Sequence, residues 1–159
     1  MSTRVPVWIP ALLCLAACGG GEKTPAAGAS TSTATPAPAA SVAAMPATGV
    51  THAVQMVQDA SGYHYSPAAV TVKEGDAIAF TVASGIPHNV TFWPDSIPAA
   101  GQAQLNANMP NTTTLLTGPL LTAVGQSYTI SFAGVTPGVY KMYCTPHLQY
   151  GMKGTITVQ

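Results

Sequence analysis

Residues 143–152 read YCTPHLQYGM and place a thiol, an imidazole and a thioether in one short segment near the end of the chain. The stretches on either side, 138–143 (GVYKMY) and 154–158 (GTITV), alternate between apolar and polar residues. Such alternation over four to eight positions is typical of half-buried β-strands. The segment is therefore predicted to be a loop between two strands, with Tyr140, Met142 and Cys144 facing inward and the intervening residues facing outward.

Similar short runs recur throughout residues 51–159, separated by turn residues rich in glycine and proline. Two examples are 77–82 (AIAFTV) and 128–132 (YTISF), each with one apolar face. Several short alternating strands with frequent turns favour an all-β sandwich. We therefore expect a single β-sandwich domain over 51–159, in which the stretch 98–121 shows no clear period and is expected to be mostly loop.

The composition excludes some classes of function. Only 6% of the 159 residues are charged and the formal net charge is zero. Nucleic-acid binding requires clustered lysine and arginine, so no nucleic-acid partner is expected. A monomer is expected.

The N-terminus has the features of an export signal. One arginine precedes an apolar run that ends LAACG at residues 15–19, with small residues before Cys18. The run is shorter than the roughly 20 residues needed to span a bilayer. We interpret 1–17 as a bacterial lipoprotein signal peptide and Cys18 as the lipidated residue, an ordinary signal peptide with a chance cysteine being the alternative.

Residues 18–50 are rich in alanine, proline, serine and threonine and contain no aromatic residue. A segment of this composition cannot bury a core, so a disordered tether is expected. The protein is then predicted to lie on the periplasmic side of the bacterial cell envelope, anchored to a membrane through Cys18. Gly19, rather than an aspartate, follows the cysteine and favours the outer membrane.

The remaining cysteine, Cys144, is the only thiol expected in the mature domain apart from the lipidated residue, so an intradomain disulfide is excluded. A further histidine, His88, lies upstream in the segment 85–90 (GIPHNV). Two histidines, one cysteine and a weak axial methionine form the ligand set of a blue copper electron-transfer site. Zinc is the main competing metal, but its sites rarely include methionine. The predicted ligands of one copper ion are His88, Cys144, His147 and Met152, whereas His52 and His64 are expected to be non-ligands.

These segments resemble the plastocyanin-like small blue copper proteins, the cupredoxin family. GIPHNV is similar to the upstream ligand motif of that family, and residues 143–158 are similar to its C-terminal motif at the same spacing. The likeness extends over most of 51–159. It implies a Greek-key β-sandwich with copper at one end, bound by Nδ1 of both histidines, the thiolate and a long axial bond to the methionine.

The resemblance also implies roles for the residues around the ligands. Asn89 would brace the cysteine-bearing loop by hydrogen bonding, and Pro146 lacks an N–H that could otherwise donate to the thiolate. The edge of the C-terminal histidine is the main electron port in the family. The expected electron-transfer surface comprises His147, Ile86, Pro87 and Leu148, with Tyr143 as a second route.

The predicted function is that of a single-electron carrier, not an enzyme, whose copper cycles between Cu(I) and Cu(II). Its partners would be redox proteins, either a cytochrome or a membrane complex. The four acidic residues of the domain are too few for the acidic docking patch of plant plastocyanins, so docking through an apolar patch is expected. Two alternatives remain: a copper chaperone or storage protein, and a fragment of a copper enzyme such as a nitrite reductase or oxidase.

Overall fold

The computed structural model describes residues 42–159, which form two four-stranded β-sheets with a shared apolar core. In chain order the strands are β1 (Thr51–Asp59), β2 (Gly62–Ser66), β3 (Ala69–Val72), β4 (Ala77–Val82), β5 (Thr91–Phe92), β6 (Ser127–Ser131), β7 (Gly138–Tyr143) and β8 (Lys153–Val158). The predicted signal peptide 1–17, the predicted lipidation site Cys18 and residues 19–41 of the predicted tether lie outside the described residues.

The first sheet has the order β2-β1-β4-β6 and the second has the order β3-β8-β7-β5. Strand pairs β1–β4 and β3–β8 are parallel, and the other pairs are antiparallel. Apart from β1–β2 and β7–β8, neighbouring strands are not consecutive in the chain, so the chain crosses repeatedly between the sheets. This arrangement confirms the predicted all-β, Greek-key β-sandwich.

Strand alternation fills the space between the sheets. In β7, Tyr140 and Met142 are fully buried whereas Lys141 is exposed, and in β6 Tyr128 and Ile130 are buried on either side of the exposed Thr129. Each large apolar side chain buried in this way contributes about 1.5–3 kcal/mol. Cys144 continues the inward row of β7 and is fully buried, so the core row of one strand ends in the thiol.

The expectation that residues 98–121 are mostly loop was wrong for their first half. Residues Ala99–Asn108 form a ten-residue helix, α1. Its sequence is rich in alanine, the strongest helix former, but it presents only Leu105 as a large buried apolar side chain. A surface helix is identified in a sequence by apolar residues that recur every 3.6 positions, and this segment lacks that pattern. The remaining residues to 121 form turns and isolated bridges to neighbouring strands.

The ordered domain begins before residue 51. Backbone N–H groups of Thr48 and Gly49 donate to the carbonyl of Gly75 at 2.9 and 2.8 Å, and the N–H of Met45 donates to Asn108 Oδ1 at 2.8 Å. These contacts hold the described end of the predicted tether against the domain. Within residues 42–159, no helix has the length and apolarity needed to cross a membrane.

Candidate metal centre

The loop after β7 brings three of the predicted ligands to one place. Cys144 is followed by a 3₁₀ helix, Thr145–Tyr150, that carries His147. Gly151 then reverses the chain with φ +84°, a backbone conformation that residues other than glycine rarely adopt. The N–H of Met152 donates to the carbonyl of His147 at 3.2 Å, and the N–H of Cys144 donates to the carbonyl of Met152 at 3.1 Å. The backbone thus closes the loop on itself and returns Met152, fully buried, next to Cys144 in the β7–β8 connection.

His88 reaches the centre from a different part of the chain. Its backbone forms a two-way hydrogen-bonded bridge with Leu121, at 3.0 Å from its N–H and 2.7 Å to its carbonyl. Its ring Nε2 lies 2.7 Å from the carbonyl of Ser84. A carbonyl only accepts, so Nε2 carries the proton and Nδ1 is left as a lone-pair donor. This is the arrangement that a metal-binding histidine needs.

The three ligand atoms of His88, Cys144 and His147 lie within 4.8 Å of one another. Cys144 Sγ is 3.6 Å from His88 Nδ1 and 3.5 Å from His147 Nδ1. With a metal–nitrogen bond of about 2.0 Å and a metal–sulfur bond of about 2.3 Å, two ligand atoms at a trigonal angle are separated by about 3.8 Å. The donor set and its spacing therefore fit one metal ion, with borderline and soft ligands suited to copper.

Burial controls the protonation of these groups. Loss of solvation lowers the pKa of His88, opposed by its contact with Ser84. Loss of solvation, together with the nearby His88, also lowers the pKa of His147. Burial raises the pKa of the Cys144 thiol, opposed by the N–H groups of Asn89 and His147. Without metal, both imidazoles are therefore neutral at pH 7 and the thiol keeps its proton, which a metal must displace.

Asn89 connects the upstream segment to the loop of Cys144. Its Oδ1 accepts the N–H of Thr145 at 2.8 Å, its Nδ2 donates to Thr145 Oγ1 at 3.2 Å, and its own N–H points to Cys144 Sγ at 3.5 Å. The residue is almost fully buried. Pro146 follows Thr145 and has no N–H to donate, so Asn89 supplies a backbone donor to the sulfur from across the site.

Three residues that the sequence reasoning did not single out support the centre. The hydroxyl of Tyr65 donates to the carbonyl of Asn89 at 2.8 Å, Ser84 accepts from His88, and the ring of Tyr63 is stacked on His147 with centroids 3.7 Å apart. The only available signal was the alternation in residues 62–66 (GYHYS), which places both tyrosines on one face of a strand. That signal shows a shared face but not what the face contacts.

The remaining predicted residues lie as follows. His52 Nε2 is 2.9 Å from Asp76 Oδ2, and His64 Nε2 is 3.7 Å from Asp59 Oδ2. Neither histidine belongs to the ligand cluster found among residues 42–159. Of the expected electron-transfer surface, Ile86 is 49% exposed, Pro87, Tyr143 and Leu148 are partly buried, and His147 is only 5% exposed.

Comparison with known proteins decides the family. Residues 50–159 match the family model of copper binding proteins of the plastocyanin/azurin family. The chain belongs to this family. A curated relative, plastocyanin from Scenedesmus fuscus, is 35% identical over 106 residues, which cover 67% of this chain and 97% of that protein. Plastocyanin from Prochlorothrix hollandica is 36% identical over 118 residues, covering 74% of this chain and 80% of that protein.

A solved structure leads to the same family. The oxidised form of plastocyanin from Dryopteris crassirhizoma has a TM-score of 0.51 and 31% identity, covering 67% of this chain and 99% of that chain. As a plastocyanin/azurin family member with the ligand set His88, Cys144, His147 and Met152, the protein uses one copper that cycles between two oxidation states. The general class of the protein is therefore that of a blue copper electron carrier.

Proposed function

We propose that this protein shuttles single electrons between redox partners of the bacterial cell envelope, in the periplasm or at a membrane. The observation that carries the proposal is the buried cluster of His88, Cys144 and His147, joined in the same closed loop by Met152. Bound copper supplies a one-electron couple. The protein holds the ligands on two backbone connections, the Leu121 bridge and the closed loop, so the cage changes little when the charge changes.

Burial favours a carrier over a copper chaperone, an enzyme fragment or a storage protein. His88, Cys144 and Met152 are fully buried, and His147 is 5% exposed. Metal transfer to a partner requires exposed ligands that can be exchanged, and catalysis requires an open coordination position. A site that is closed by its own side chains suits electron exchange without substrate binding.

The proposed docking surface is the apolar end around the loop of Cys144. Ile86 is exposed there, with Pro87 and Leu148 partly so. Leu120, 54% exposed, lines a depression of about 310 Å³ together with Asn89 and Pro146, and extends this surface beyond the expected residues. An apolar docking surface in a protein of zero net charge favours association with redox proteins, a cytochrome or a membrane complex, at rates that depend little on salt.

Tyr143 lies on a second face and is proposed as a second route. Its ring stacks on Trp93 with centroids 4.4 Å apart, and Lys153 Nζ lies 6.0 Å from the Trp93 centroid. Tyr143 is joined to Cys144 by a single peptide bond, which gives this aromatic pair a short covalent path to the thiol.

The test of electron carriage is a redox titration of the copper-loaded protein followed by visible and EPR spectroscopy. We expect an intense thiolate-to-Cu(II) band that disappears on one-electron reduction and returns on oxidation over many cycles. Cys144→Ser should lose the band, and His64→Gln, outside the cluster, should keep it. A colourless Cu(II) protein, rapid loss of copper to a mild chelator, or turnover of nitrite or oxygen would contradict the proposal.

The envelope location is proposed from the sequence around Cys18. Acylation at Cys18 would anchor the chain stably, because several acyl chains bury many methylene groups. The test is fractionation of cells that produce the full chain or Cys18→Ser. The wild type should sediment with membranes, the outer membrane in particular, and the variant should not; a wild type that stays in the soluble fraction would contradict the anchor.

A further inference from the structure

The two histidines of the copper centre are oriented by different means. The ring of His88 is fixed by a hydrogen bond between its Nε2 and the carbonyl of Ser84, 2.7 Å apart. The Ser84 hydroxyl is itself bonded to the backbone of Gln58 in both directions at 2.8 Å. Among residues 42–159, the only hydrogen-bonding partner of the His147 ring is Cys144 Sγ, which faces Nδ1. A metal-binding histidine usually donates its other ring N–H to an orienting partner, and here His147 has none among the described residues.

The face of the His147 ring is occupied instead. The ring of Tyr63 lies parallel to it, with centroids 3.7 Å apart and planes 14° from parallel. The other aromatic neighbours of His147 are at steeper angles: His88 at 4.8 Å and 63°, and Tyr150 at 6.4 Å and 48°. Of these aromatic rings, only that of Tyr63 covers a whole face of the imidazole, and it therefore opposes rotation of the imidazole about the Cβ–Cγ bond.

Strand β1 and the segment at Gly85 both lie next to Tyr63. Tyr63 lies in β2, paired with Gln58 of β1, and packs against the edge of the core. Gly85, with φ +72°, lies close to both residues of this pair, and a Cβ at that position would lie only 3.0 Å from Tyr63 Cε1. The same short segment that carries the Ser84 carbonyl thus lies against the ring of Tyr63. One loop supports the orientation of both histidines.

We propose that Tyr63 is a positioning residue of the copper centre, which fixes the His147 ring by stacking as Ser84 fixes the His88 ring by hydrogen bonding. The inference rests on the proposed function for its purpose, whereas the stack itself is a feature of the fold. Tyr63 also covers His147, so the surface that a partner meets at this position is formed by Tyr63 and by Tyr150, which is 61% exposed.

The test compares Tyr63→Leu with two matched variants. Tyr63→Phe keeps the ring, and the hydroxyl it removes has no hydrogen-bond partner among the described residues. Tyr150→Ala removes a tyrosine that borders the stack, with its centroid 5.4 Å from that of Tyr63, but leaves both stacked rings in place. The first readout is NMR of the metal-free protein. In Tyr63→Leu the His147 ring protons should lose the upfield ring-current shift and gain mobility. The His88 ring, which meets Tyr63 only edge-on at 6.2 Å and is bonded to Ser84, should keep its mobility.

The second readout is copper affinity, measured by competition with a chelator, together with the EPR spectrum. Loss of an orienting partner typically weakens metal binding 10- to 100-fold, so Tyr63→Leu should lose about tenfold and show an altered EPR spectrum. Tyr63→Phe and Tyr150→Ala should stay within about twofold of the wild type. A Tyr63→Leu protein that is merely less stable, with wild-type His147 signals and affinity, would overturn the inference. Equal losses in Tyr63→Phe or Tyr150→Ala would also overturn it. A wild type without the blue band would instead refute the proposed function and leave the NMR comparison to decide the role of Tyr63.

Discussion

At the scale of single residues, the copper centre depends on side chains that never contact the metal. Asn89 connects the segment of His88 to the loop of Cys144 by accepting the N–H of Thr145, and the Tyr65 hydroxyl donates to the Asn89 carbonyl. Such buried polar groups are costly when they lose a partner, because the remaining donor or acceptor stays desolvated. The rigidity of the site is therefore distributed over a small hydrogen-bonded network around the ligands.

Replacement of Asn89 should be costly even without copper. Asn89→Ala removes the acceptor of the Thr145 N–H and the donor to Thr145 Oγ1, so the metal-free protein should lose about 1–3 kcal/mol of unfolding free energy. Urea denaturation measures this loss. Gln149→Ala, an exposed position in the same loop, is the control and should change stability by less than about 0.5 kcal/mol. Equal effects of the two substitutions would show that the network is unimportant.

Copper binding should release one proton from Cys144. Burial raises the pKa of the thiol and lowers the pKa of both histidines, so near pH 7 only the thiol has a proton to lose. The apparent affinity for copper should then rise about tenfold per pH unit between pH 7 and 8. Calorimetry in buffers of different ionisation enthalpy measures the proton count. A release close to zero would mean that the thiol is ionised before metal binds, contrary to the expected effect of burial.

Among the elements, α1 is joined to the sandwich by the core packing of Leu105 and by the buried side-chain amide of Asn108. Asn108 Nδ2 donates to the carbonyls of Ser131 and Ala133 at 3.0 and 2.8 Å, and its Oδ1 accepts from the N–H of Met45. The helix, the end of β6 and the segment before β1 thus meet at one side chain. This contact makes residues 43–50 part of the ordered domain.

Asn108→Ala should therefore destabilise the protein by about 2 kcal/mol, because it leaves buried backbone groups without partners. Gln102→Ala on the same helix removes only an exposed bond to the Pro94 carbonyl and should cost less than about 0.5 kcal/mol. Thermal or urea unfolding distinguishes the two. If Asn108→Ala were as stable as Gln102→Ala, the helix would not be attached in the way described.

In the molecule as a whole, Asp76, which directly precedes β4, connects the segment before β1, strand β1 and the turn after β3. Its carboxylate accepts from the N–H groups of Val50 and Lys73 at 2.9 and 3.0 Å and lies 2.9 Å from His52 Nε2. These hydrogen bonds, led by that from Lys73, lower the pKa of Asp76 to about 2. A carboxyl group whose pKa is lower in the folded state stabilises the fold above its unfolded pKa, and the contribution disappears as the pH falls through the folded pKa.

Acid should therefore weaken the fold between about pH 4 and pH 2 through Asp76. Asp76→Asn should be less stable than the wild type at pH 7 and should lose less further stability over this acid range. Asp95→Asn, at an exposed position, is the control and should follow the wild-type profile. Urea midpoints measured from pH 7 to pH 2 provide the comparison. Parallel profiles for Asp76→Asn and the wild type would contradict the role given to this carboxylate.

The sequence predicted the sandwich and the candidate ligands because both depend on local patterns. Strand alternation places Cys144 at the end of the Tyr140–Met142 row, and the spacing of Cys144, His147 and Met152 restricts the chemistry to sulfur and imidazole ligands. Helix α1 was missed because its alanine-rich sequence lacks an apolar period. The stack of Tyr63 on His147 was missed because it depends on how β2 lies beside the loop after β7, and on the close approach of Gly85. Contacts between distant segments leave no local trace in the residue pattern.

The most direct test of the central claim is a pair of crystal structures of the copper-loaded protein, oxidised and reduced. The claim is that His88, Cys144, His147 and Met152 surround one copper ion in a cage fixed by the protein. We predict copper between these four side chains in both states. Each distance from Cys144 Sγ to a histidine Nδ1 should differ by no more than about 0.2 Å between the oxidised and the reduced structure. Copper bound elsewhere, or a cage in which one of these ligands leaves on reduction, would contradict the account.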